Sequence, residues 1–207
     1  MDKNEHWQRV YELKKPDEVS WYSRHLEQSL ASIRKVAAGA AKVIDVGGGA
    51  STLIEDLLAA GFTDLAVLDI SSVALDAAKA RLGGRATRVA WILGDVTSID
   101  LPGDSFDVWH DRAVFHFLAQ PSERAAYVSC LRKSLKVGGR IVIAAFAPDG
   151  PTRCSGLEVM RYDAESLARE LGPDFTLEDQ LRITHRTPSG SEQKFVHCVF
   201  RKVDGAG

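Results

Sequence analysis

Short apolar runs alternate with amphipathic segments along the middle of the chain. Five runs of this kind cover residues 42–46, 65–69, 89–93, 106–110 and 140–146. Between them, helices are predicted to begin near Ser51, at Ser71 or Ser72, and at Ser122, the last of these extending to about Lys136. Runs of this length are typical of strands buried on both faces, and repeated strand–helix units predict a parallel sheet with helices on both sides.

Two helices are predicted before the first strand. Trp7 and Tyr11 belong to a short amphipathic segment that Pro16 ends. A stripe of apolar residues at spacings of three and four then runs from Tyr22 to Ala37, which predicts a longer helix. Both helices need a surface on which to bury these faces, and we expect that surface to be the sheet.

The end of the chain has a different pattern. Asp163 is the expected cap of a helix, and residues 175–184 and 192–201 are β-rich runs joined by a turn that contains proline and glycine. This spacing predicts a hairpin, with one antiparallel strand at or near the edge of the sheet. We therefore predict a single α/β domain over residues 1–207, with a helical N-terminal lid (1–41), a cofactor-binding core (42–146) and a C-terminal helix and hairpin (147–207).

Composition and charge exclude several classes of protein. Of 207 residues, 45% are hydrophobic and 26% are charged, and the formal net charge is −2. No basic stripe marks a nucleic-acid partner, and no apolar run approaches the ~20 residues of a membrane span. Residues 1–8 are polar, and the three cysteines have no Cys-x-x-Cys spacing. We therefore expect a cytoplasmic protein with reduced thiols and no membrane partner.

A glycine-rich segment follows the first predicted strand. Residues 45–52 have the sequence Asp-Val-Gly-Gly-Gly-Ala-Ser-Thr. Gly47, Gly48 and Gly49 lack the Cβ atoms that would keep a ligand from the backbone, and open α/β sheets bind ligands at the carboxyl ends of their strands. The segment predicts a nucleotide cofactor that contacts these glycines and Ser51. The alternative is a turn that merely connects two elements.

Two residues of this segment favour S-adenosylmethionine over a dinucleotide. A dinucleotide loop usually has a third glycine at the position that Thr52 occupies. Asp45, just before the glycines, would repel a pyrophosphate but suits the cationic methionine portion of S-adenosylmethionine, directly or through water.

The next two strand ends carry further candidate cofactor contacts. Asp69 ends the second strand, where a carboxylate can accept both ribose hydroxyl protons, and Ile70 follows it. Asp95 ends the third strand and can accept from the adenine amino group while Val96 covers the ring. The alternative for Asp95 is that it only caps the following turn.

Five segments of the chain resemble known motifs. Residues 43–52, 65–71, 91–96, 106–117 and 131–146 are similar, in order, to the successive motifs of the class I S-adenosylmethionine-dependent methyltransferases. The resemblance implies a three-layer Rossmann-like sandwich whose mostly parallel seven-stranded sheet has an antiparallel C-terminal strand. It also implies S-adenosylmethionine as cofactor and S-adenosylhomocysteine as product. The family often has another residue where Gly48 stands, and glycine there should loosen the loop without removing its function.

Polar side chains cluster after the fourth predicted strand, in residues 110–117. The resemblance implies that this segment faces the transferable methyl group. We expect His110 or His116 to act as a base or substrate ligand, Arg112 to pair with an anion, and Asp111 to contact the substrate. The alternative is that Asp111 and Arg112 form a structural ion pair while the histidines pack. The two histidines do not have the spacing of a metal pair, and no metal is expected.

Other candidate substrate contacts lie on two further segments. Cys154 and Arg161 follow the fifth predicted strand, and Cys154 could contact a soft substrate, although a lone loop cysteine can also have no role. Trp21 and Tyr22, at the start of the second predicted helix, are candidates for a lid that excludes water. The alternative for Tyr22 is packing in the core.

The sequence therefore predicts an S-adenosylmethionine-dependent methyltransferase. The chain adds little to the cofactor core beyond a helical N-terminus and one loop, which favours a small-molecule acceptor and in-line displacement. The alternatives are a protein-lysine methyltransferase and a non-catalytic nucleotide-binding regulatory module. For the oligomeric state, both a monomer and a homodimer stay open.

Overall fold

A seven-stranded sheet forms the centre of the chain. The computed structural model describes residues 3–15 and 17–204, so Pro16 lies outside the described residues. The strands are β1 (Lys42–Val46), β2 (Asp64–Asp69), β3 (Val89–Leu93), β4 (Phe106–Arg112), β5 (Leu135–Phe146), β6 (Arg153–Cys154), β7 (Leu157–Glu158), β8 (Phe175–Arg186) and β9 (Glu192–Lys202). The helices are α1 (Lys3–Leu13), α2 (Glu27–Val36), α3 (Leu53–Ala59), α4 (Ser72–Leu82), α5 (Pro121–Ser134) and α6 (Ala164–Leu171).

The strand order confirms the predicted fold class. The main sheet runs β3-β2-β1-β4-β5-β9-β8, while β6 and β7 form a separate two-stranded ribbon. Strands β1 to β5 are parallel to one another, and β9 is antiparallel to both β5 and β8. The reversed strand is thus second from the edge. The order reverses between β1 and β4, which is where an open α/β sheet binds its ligand.

Helices cover both faces of the sheet because side chains alternate along each buried strand. Ile44 belongs to the apolar cluster that contains Tyr127 of α5, whereas its neighbour Val43 packs with Ile33 of α2. Consecutive strand residues point to opposite faces, so one apolar run supplies two cores. Within the described residues, no helix is long and apolar enough to cross a bilayer.

Three predicted boundaries were wrong in ways that matter for the site. Strand β4 continues to Arg112 instead of ending at His110, because its backbone pairs with β5 as far as the Arg112–Ala144 position. Strand β5 begins at Leu135, which pairs with Phe106 before a register shift, so helix α5 ends at Ser134 rather than near Lys136.

The second predicted helix is also shorter than expected. Helix α2 begins at Glu27, and residues 17–26 form turns and irregular backbone. Trp21 and Tyr22 therefore lie on a loop, where Arg112 Nη1 donates a hydrogen bond of 2.7 Å to the carbonyl oxygen of Trp21. The C-terminal part of the predicted apolar stripe does face the sheet, since Ile33 is fully buried there.

Candidate active site

A cavity of about 970 Å³, including its open mouth, lies at the carboxyl ends of strands β1 to β4. Five of the predicted cofactor contacts line it, namely Gly47, Asp69, Ile70, Asp95 and Val96. Four of the predicted catalytic or substrate residues line it as well, namely Trp21, Arg112, His116 and Cys154. Parallel strands bring these residues together because their carboxyl ends meet at one edge of the sheet.

The glycine loop is tightly packed at its first two glycines. Gly47 has φ +68°, and a Cβ there would lie 2.1 Å from Cγ2 of Val114. A Cβ on Gly48 would lie 2.4 Å from Oδ2 of Asp45. Both positions therefore require glycine. The glycine at position 48, which we expected to loosen the loop, instead lets it close over a buried carboxylate.

Asp69 anchors the loop from the neighbouring strand. Its Oδ2 accepts from the backbone N–H of Gly49 at 2.9 Å, and its Oδ1 accepts from that of Ser71 at 2.8 Å. Burial raises the pKa of Asp69 from 3.8 to about 6, and the hydrogen bonds from Ser71 and Gly49 oppose that rise. The side chain is ionised at neutral pH and keeps lone pairs for a ligand, since each oxygen accepts only one of these bonds.

Asp95 caps the turn that follows β3 and also lines the cavity. Its Oδ1 accepts from the backbone N–H of Thr97 at 2.8 Å and from the Thr97 hydroxyl at 2.7 Å, so it does cap the following turn. The residue also lines the cavity, next to the buried side chain of Val96. Capping fixes the orientation of the carboxylate without withdrawing it from the cavity.

Asp45 and His110 form a buried hydrogen bond beneath the glycine loop. His110 Nδ1 lies 2.6 Å from Asp45 Oδ1, and His110 Nε2 lies 2.8 Å from the hydroxyl of Ser29 on α2. His110 does not line the cavity, and both of its ring nitrogens are engaged, so its position does not suit a catalytic base. Asp45 Oδ2 is buried without a partner. Asp45 and Ser51 line a smaller cavity of about 360 Å³ that shares Gly47 with the first.

Asp111 and Arg112 point in opposite directions and do not form the ion pair considered as an alternative. Asp111 accepts from the backbone N–H of Val114 at 2.9 Å and from the Tyr127 hydroxyl at 2.7 Å. Burial raises its pKa to about 6. Because consecutive strand residues face opposite sides, extension of β4 through Arg112 turns Asp111 into the core and Arg112 toward the cavity. Asp111 is therefore not placed to contact a substrate.

Arg112 is a half-buried cation without a carboxylate partner among the described residues. It donates to the Trp21 carbonyl, and its guanidinium carbon lies 5.6 Å from the centroid of the Phe195 ring. Burial lowers its pKa from 12.5 to about 10, with the charge of Asp45 acting in the opposite direction. The side chain stays positively charged at neutral pH and presents donors to a ligand.

His116 is a hydrogen-bond donor rather than a base. Its Nδ1 accepts from the backbone N–H of Phe146 at 3.3 Å, and its ring stacks on that of Phe146 at 4.3 Å. Burial and the charge of Arg112 lower its pKa to about 3. A neutral imidazole whose Nδ1 accepts a hydrogen bond carries its proton on Nε2. That Nε2 is buried without a partner, in a residue that lines the cavity.

Comparison with known proteins agrees with this geometry. Residues 43–139 match the family model described as a methyltransferase domain. Bovine eEF1A lysine and N-terminal methyltransferase is 27% identical over 149 residues, which are 69% of this chain and 21% of that protein. The chain thus spans about a fifth of the length of the curated relatives it matches.

Two solved structures share the fold. Burkholderia thailandensis 1,6-didemethyltoxoflavin-N1-methyltransferase, with bound 1,6-didemethyltoxoflavin and S-adenosylhomocysteine, superposes with a TM-score of 0.76 at 20% identity, covering 97% of this chain and 87% of that chain. An S-adenosylmethionine-dependent methyltransferase from Anabaena variabilis gives 0.77 at 16% identity, covering 98% and 96%. The chain therefore has the fold of these methyltransferases, and residues 43–139 match the methyltransferase-domain model.

The residues that line the two cavities fit S-adenosylmethionine. Asp69 and Asp95 offer carboxylate oxygens at adjacent strand ends, and Val96 offers an apolar surface beside them. On the far side of Gly47, the unpartnered Oδ2 of Asp45 is available to a cationic group. The donor set therefore suits a ligand with hydroxyls, an aromatic base and an ammonium group, as in S-adenosylmethionine.

Helix α1 adds two aromatic residues to the cavity wall, beside the predicted lid residue Trp21. Helix α1 lies across the cavity, and its Trp7 and Tyr11 line it together with Trp21 of the following loop. The ring centroids of Trp7 and Phe117 lie 4.9 Å apart. The pKa of the Tyr11 hydroxyl is raised well above its usual value by burial and by the nearby charge of Asp69. The aromatic pair at i and i+4 of α1 was the available signal.

Side-chain hydrogen bonds fasten α1 to the loop after β2. Gln8 Nε2 donates to the Ser72 hydroxyl at 2.9 Å, and Gln8 Oε1 accepts from the Ser71 hydroxyl at 2.5 Å. Asn4 Nδ2 donates to the carbonyl oxygen of Ile70 at 3.2 Å. The lid is thereby tied to the same segment that carries Asp69.

The remaining predicted contacts divide between the cavity and its surroundings. Cys154 is buried in the cavity wall, with its Sγ 3.7 Å from the Ser20 hydroxyl. Tyr22 lines the smaller cavity beside Asp45. Arg161 donates to the carbonyl oxygen of Pro148 at 2.7 Å and lies outside the cavity.

Proposed function

We propose that this methyltransferase transfers the methyl group of S-adenosylmethionine to a small-molecule acceptor. The observation that carries the proposal is a single cavity with two chemically different ends under one lid. Carboxylates line the end at β2 and β3, whereas Cys154, Phe146 and Phe195 line an end enclosed by the ribbon of β6 and β7 and the hairpin of β8 and β9.

At the cofactor end, the chain's contribution is binding and orientation. Asp69 accepts from ribose hydroxyls, with Ile70 beside it, and Asp95 accepts from the adenine amino group while Val96 packs on the ring. When bound, S-adenosylmethionine supplies a methyl group already activated by its sulfonium. Gly47 lets the backbone approach the ligand closely.

The smaller cavity completes this end. Asp45 faces the ammonium group of the methionine portion, and Gly47 and Ser51 border the same cavity, whereas Gly48 and Gly49 line neither of the two cavities. His110 holds Asp45 in place from below, at 2.6 Å, and is a positioning residue in this proposal.

At the acceptor end, the chain aligns a nucleophile and excludes water. Trp7, Tyr11 and Trp21 cover the cavity, and alignment alone can contribute several kcal/mol to the rate, up to roughly 7–11 in the best cases. Arg112 and His116 donate hydrogen bonds to the acceptor. No residue acts as base in this proposal, because the nucleophile reacts in its deprotonated or neutral form.

Calorimetry and a turnover assay test the proposal. S-adenosylhomocysteine should bind, NAD should not, and the Asp69→Ala variant should lose most of the affinity, while Asp100→Ala, an exposed carboxylate paired with Lys133, should keep it. Turnover is then measured on thiols, amines and organic acids. Binding of NAD alone would refute the proposal.

Two outcomes would favour the alternatives. Methylation of a lysine peptide, with no small-molecule turnover, would identify a protein-lysine methyltransferase, the activity named for the bovine relative. Cofactor binding without any turnover would identify a regulatory module. A cytoplasmic monomer or homodimer with reduced thiols belongs to the same proposal.

A further inference from the structure

We propose that the methyl acceptor is an organic acid, whose carboxylate binds between the guanidinium of Arg112 and the Nε2–H of His116. The inference rests on the proposed function, because it places the acid group beside the transferred methyl. It adds the chemical class of the acceptor, which the fold alone does not specify.

The first observation is the incomplete pairing of Arg112. One of its five N–H donors is used by the Trp21 carbonyl oxygen at 2.7 Å, and its plane faces the ring of Phe195 at 5.6 Å. Within the part of the chain that the structure describes, no Asp or Glu forms an ion pair with it. A planar guanidinium matches a carboxylate in a two-point contact, and a half-buried cation gains from such a partner.

The second observation is a neighbouring donor that lacks an acceptor. His116 Nε2 is buried, unpartnered and protonated, because Nδ1 accepts from the Phe146 backbone. The ring centroids of His116 and Phe195 lie 6.3 Å apart, so His116 and Arg112 border the same aromatic ring. Burial and the charge of Arg112 both lower the pKa of His116.

The third observation is the character of the remaining wall. Gln193 lines the same cavity, and its side-chain oxygen is buried without a partner, so it can accept a hydrogen bond from a donor group elsewhere on the ligand. Phe146, Phe195 and Leu157 supply apolar surface. Two donors that line one cavity with an apolar background suit an acid with an apolar or aromatic body, since a carboxylate accepts several hydrogen bonds at once.

A carboxylate could also come from the methionine portion of the cofactor. Arg112 borders the smaller cavity beside Asp45 as well as the larger one. His116 and Gln193 border only the larger cavity of these two, which favours the acceptor. The experiment separates the two sources by using S-adenosylhomocysteine, which carries the methionine carboxylate, and 5′-methylthioadenosine, which lacks it.

The test compares acids with their amides. Benzoate, phenylacetate and 3-phenylpropionate are titrated into the wild-type protein, free and saturated with S-adenosylhomocysteine, alongside the three matching carboxamides. At least one acid should bind about tenfold more tightly than its amide. Arg112→Gln should abolish that preference while leaving the affinity for S-adenosylhomocysteine within about threefold. Arg112→Lys should keep part of the preference, since the charge remains without the fork.

Arg161→Gln is the matched control, because Arg161 bonds the Pro148 carbonyl outside the cavity and should keep the full preference. Equal binding of acids and amides, or a preference that survives Arg112→Gln, would overturn the proposal. So would a loss of S-adenosylhomocysteine affinity in Arg112→Gln with unchanged binding of 5′-methylthioadenosine, which would assign Arg112 to the cofactor. Failure of S-adenosylhomocysteine to bind the wild type would instead refute the proposed function, and the acid preference would still be measurable on the free protein.

Discussion

Replacing His110 with alanine should strongly destabilise the protein, although this residue does not border the cavity. The side chains of His110 and Asp45 are 1% and 2% exposed, and the Nδ1–Oδ1 distance is 2.6 Å. His110→Ala leaves a buried carboxylate without a partner on either oxygen, because Oδ2 already lacks one. Breaking a buried pair in this way costs about 3 kcal/mol or more. For a chain of this size, that lowers the unfolding temperature by about 6–12 °C.

The chain contains a matched control for this prediction. His25 Nδ1 lies 2.8 Å from Asp56 Oδ1, but the His25 side chain is 59% exposed. His25→Ala removes the same kind of contact in solvent and should cost no more than about 1 kcal/mol. Thermal unfolding followed by circular dichroism at neutral pH compares the two variants directly.

A double-mutant cycle isolates the contact itself. Asp45→Asn combined with His110→Ala should be less destabilising than the sum of the single changes, with a coupling energy of roughly 1–3 kcal/mol. An unfolding temperature for His110→Ala no lower than that of His25→Ala would refute the reasoning, as would strictly additive effects. Either result would mean that burial does not strengthen the contact.

Three further predictions concern the loop, the ribose contact and the lid. Gly47→Ala should abolish cofactor binding, because its Cβ would lie 2.1 Å from Val114. Gly190→Ala, also at positive φ but in open space, should lower the free energy of unfolding by only ~1–2 kcal/mol. Calorimetry with S-adenosylhomocysteine and thermal unfolding measure these effects. Burial raises the pKa of Asp69 to about 6, so folding favours its protonated form. The stability of the wild type relative to Asp69→Asn should therefore fall as the pH rises from about 4 to 6. Over the same range, binding of S-adenosylhomocysteine should strengthen and then level off above about pH 6. A pH-independent difference in either quantity would contradict this. Trp7→Ala should speed dissociation of S-adenosylhomocysteine in stopped-flow experiments, whereas Leu13→Ala, at a 72% exposed position of the same helix, should not; equal rates would exclude α1 as the lid.

Much of the cofactor end was predictable because its residues lie at strand ends. Gly47, Asp69 and Asp95 each follow a short apolar run, and parallel strands must bring such positions to one edge of the sheet. The acceptor end was less predictable. A β4 strand two residues longer than expected reassigns His110 and Asp111 from an active-site loop to the buried interior.

The local sequence determined the order of strands and helices, the C-terminal hairpin and the glycine loop, because each depends on residues near one another in the chain. The tertiary structure decided which of the polar side chains after the fourth strand reach the cavity and which are buried in the core. Strand pairing with β5 sets the alternation that directs Arg112 inward and Asp111 away. Hydrogen bonds between Gln8 and the hydroxyls of Ser71 and Ser72, more than sixty residues away, hold α1 over the site. Such distant partners leave no period in the local sequence, so the position of α1 over the cavity and the donor pair at the acceptor end are seen only in the folded chain.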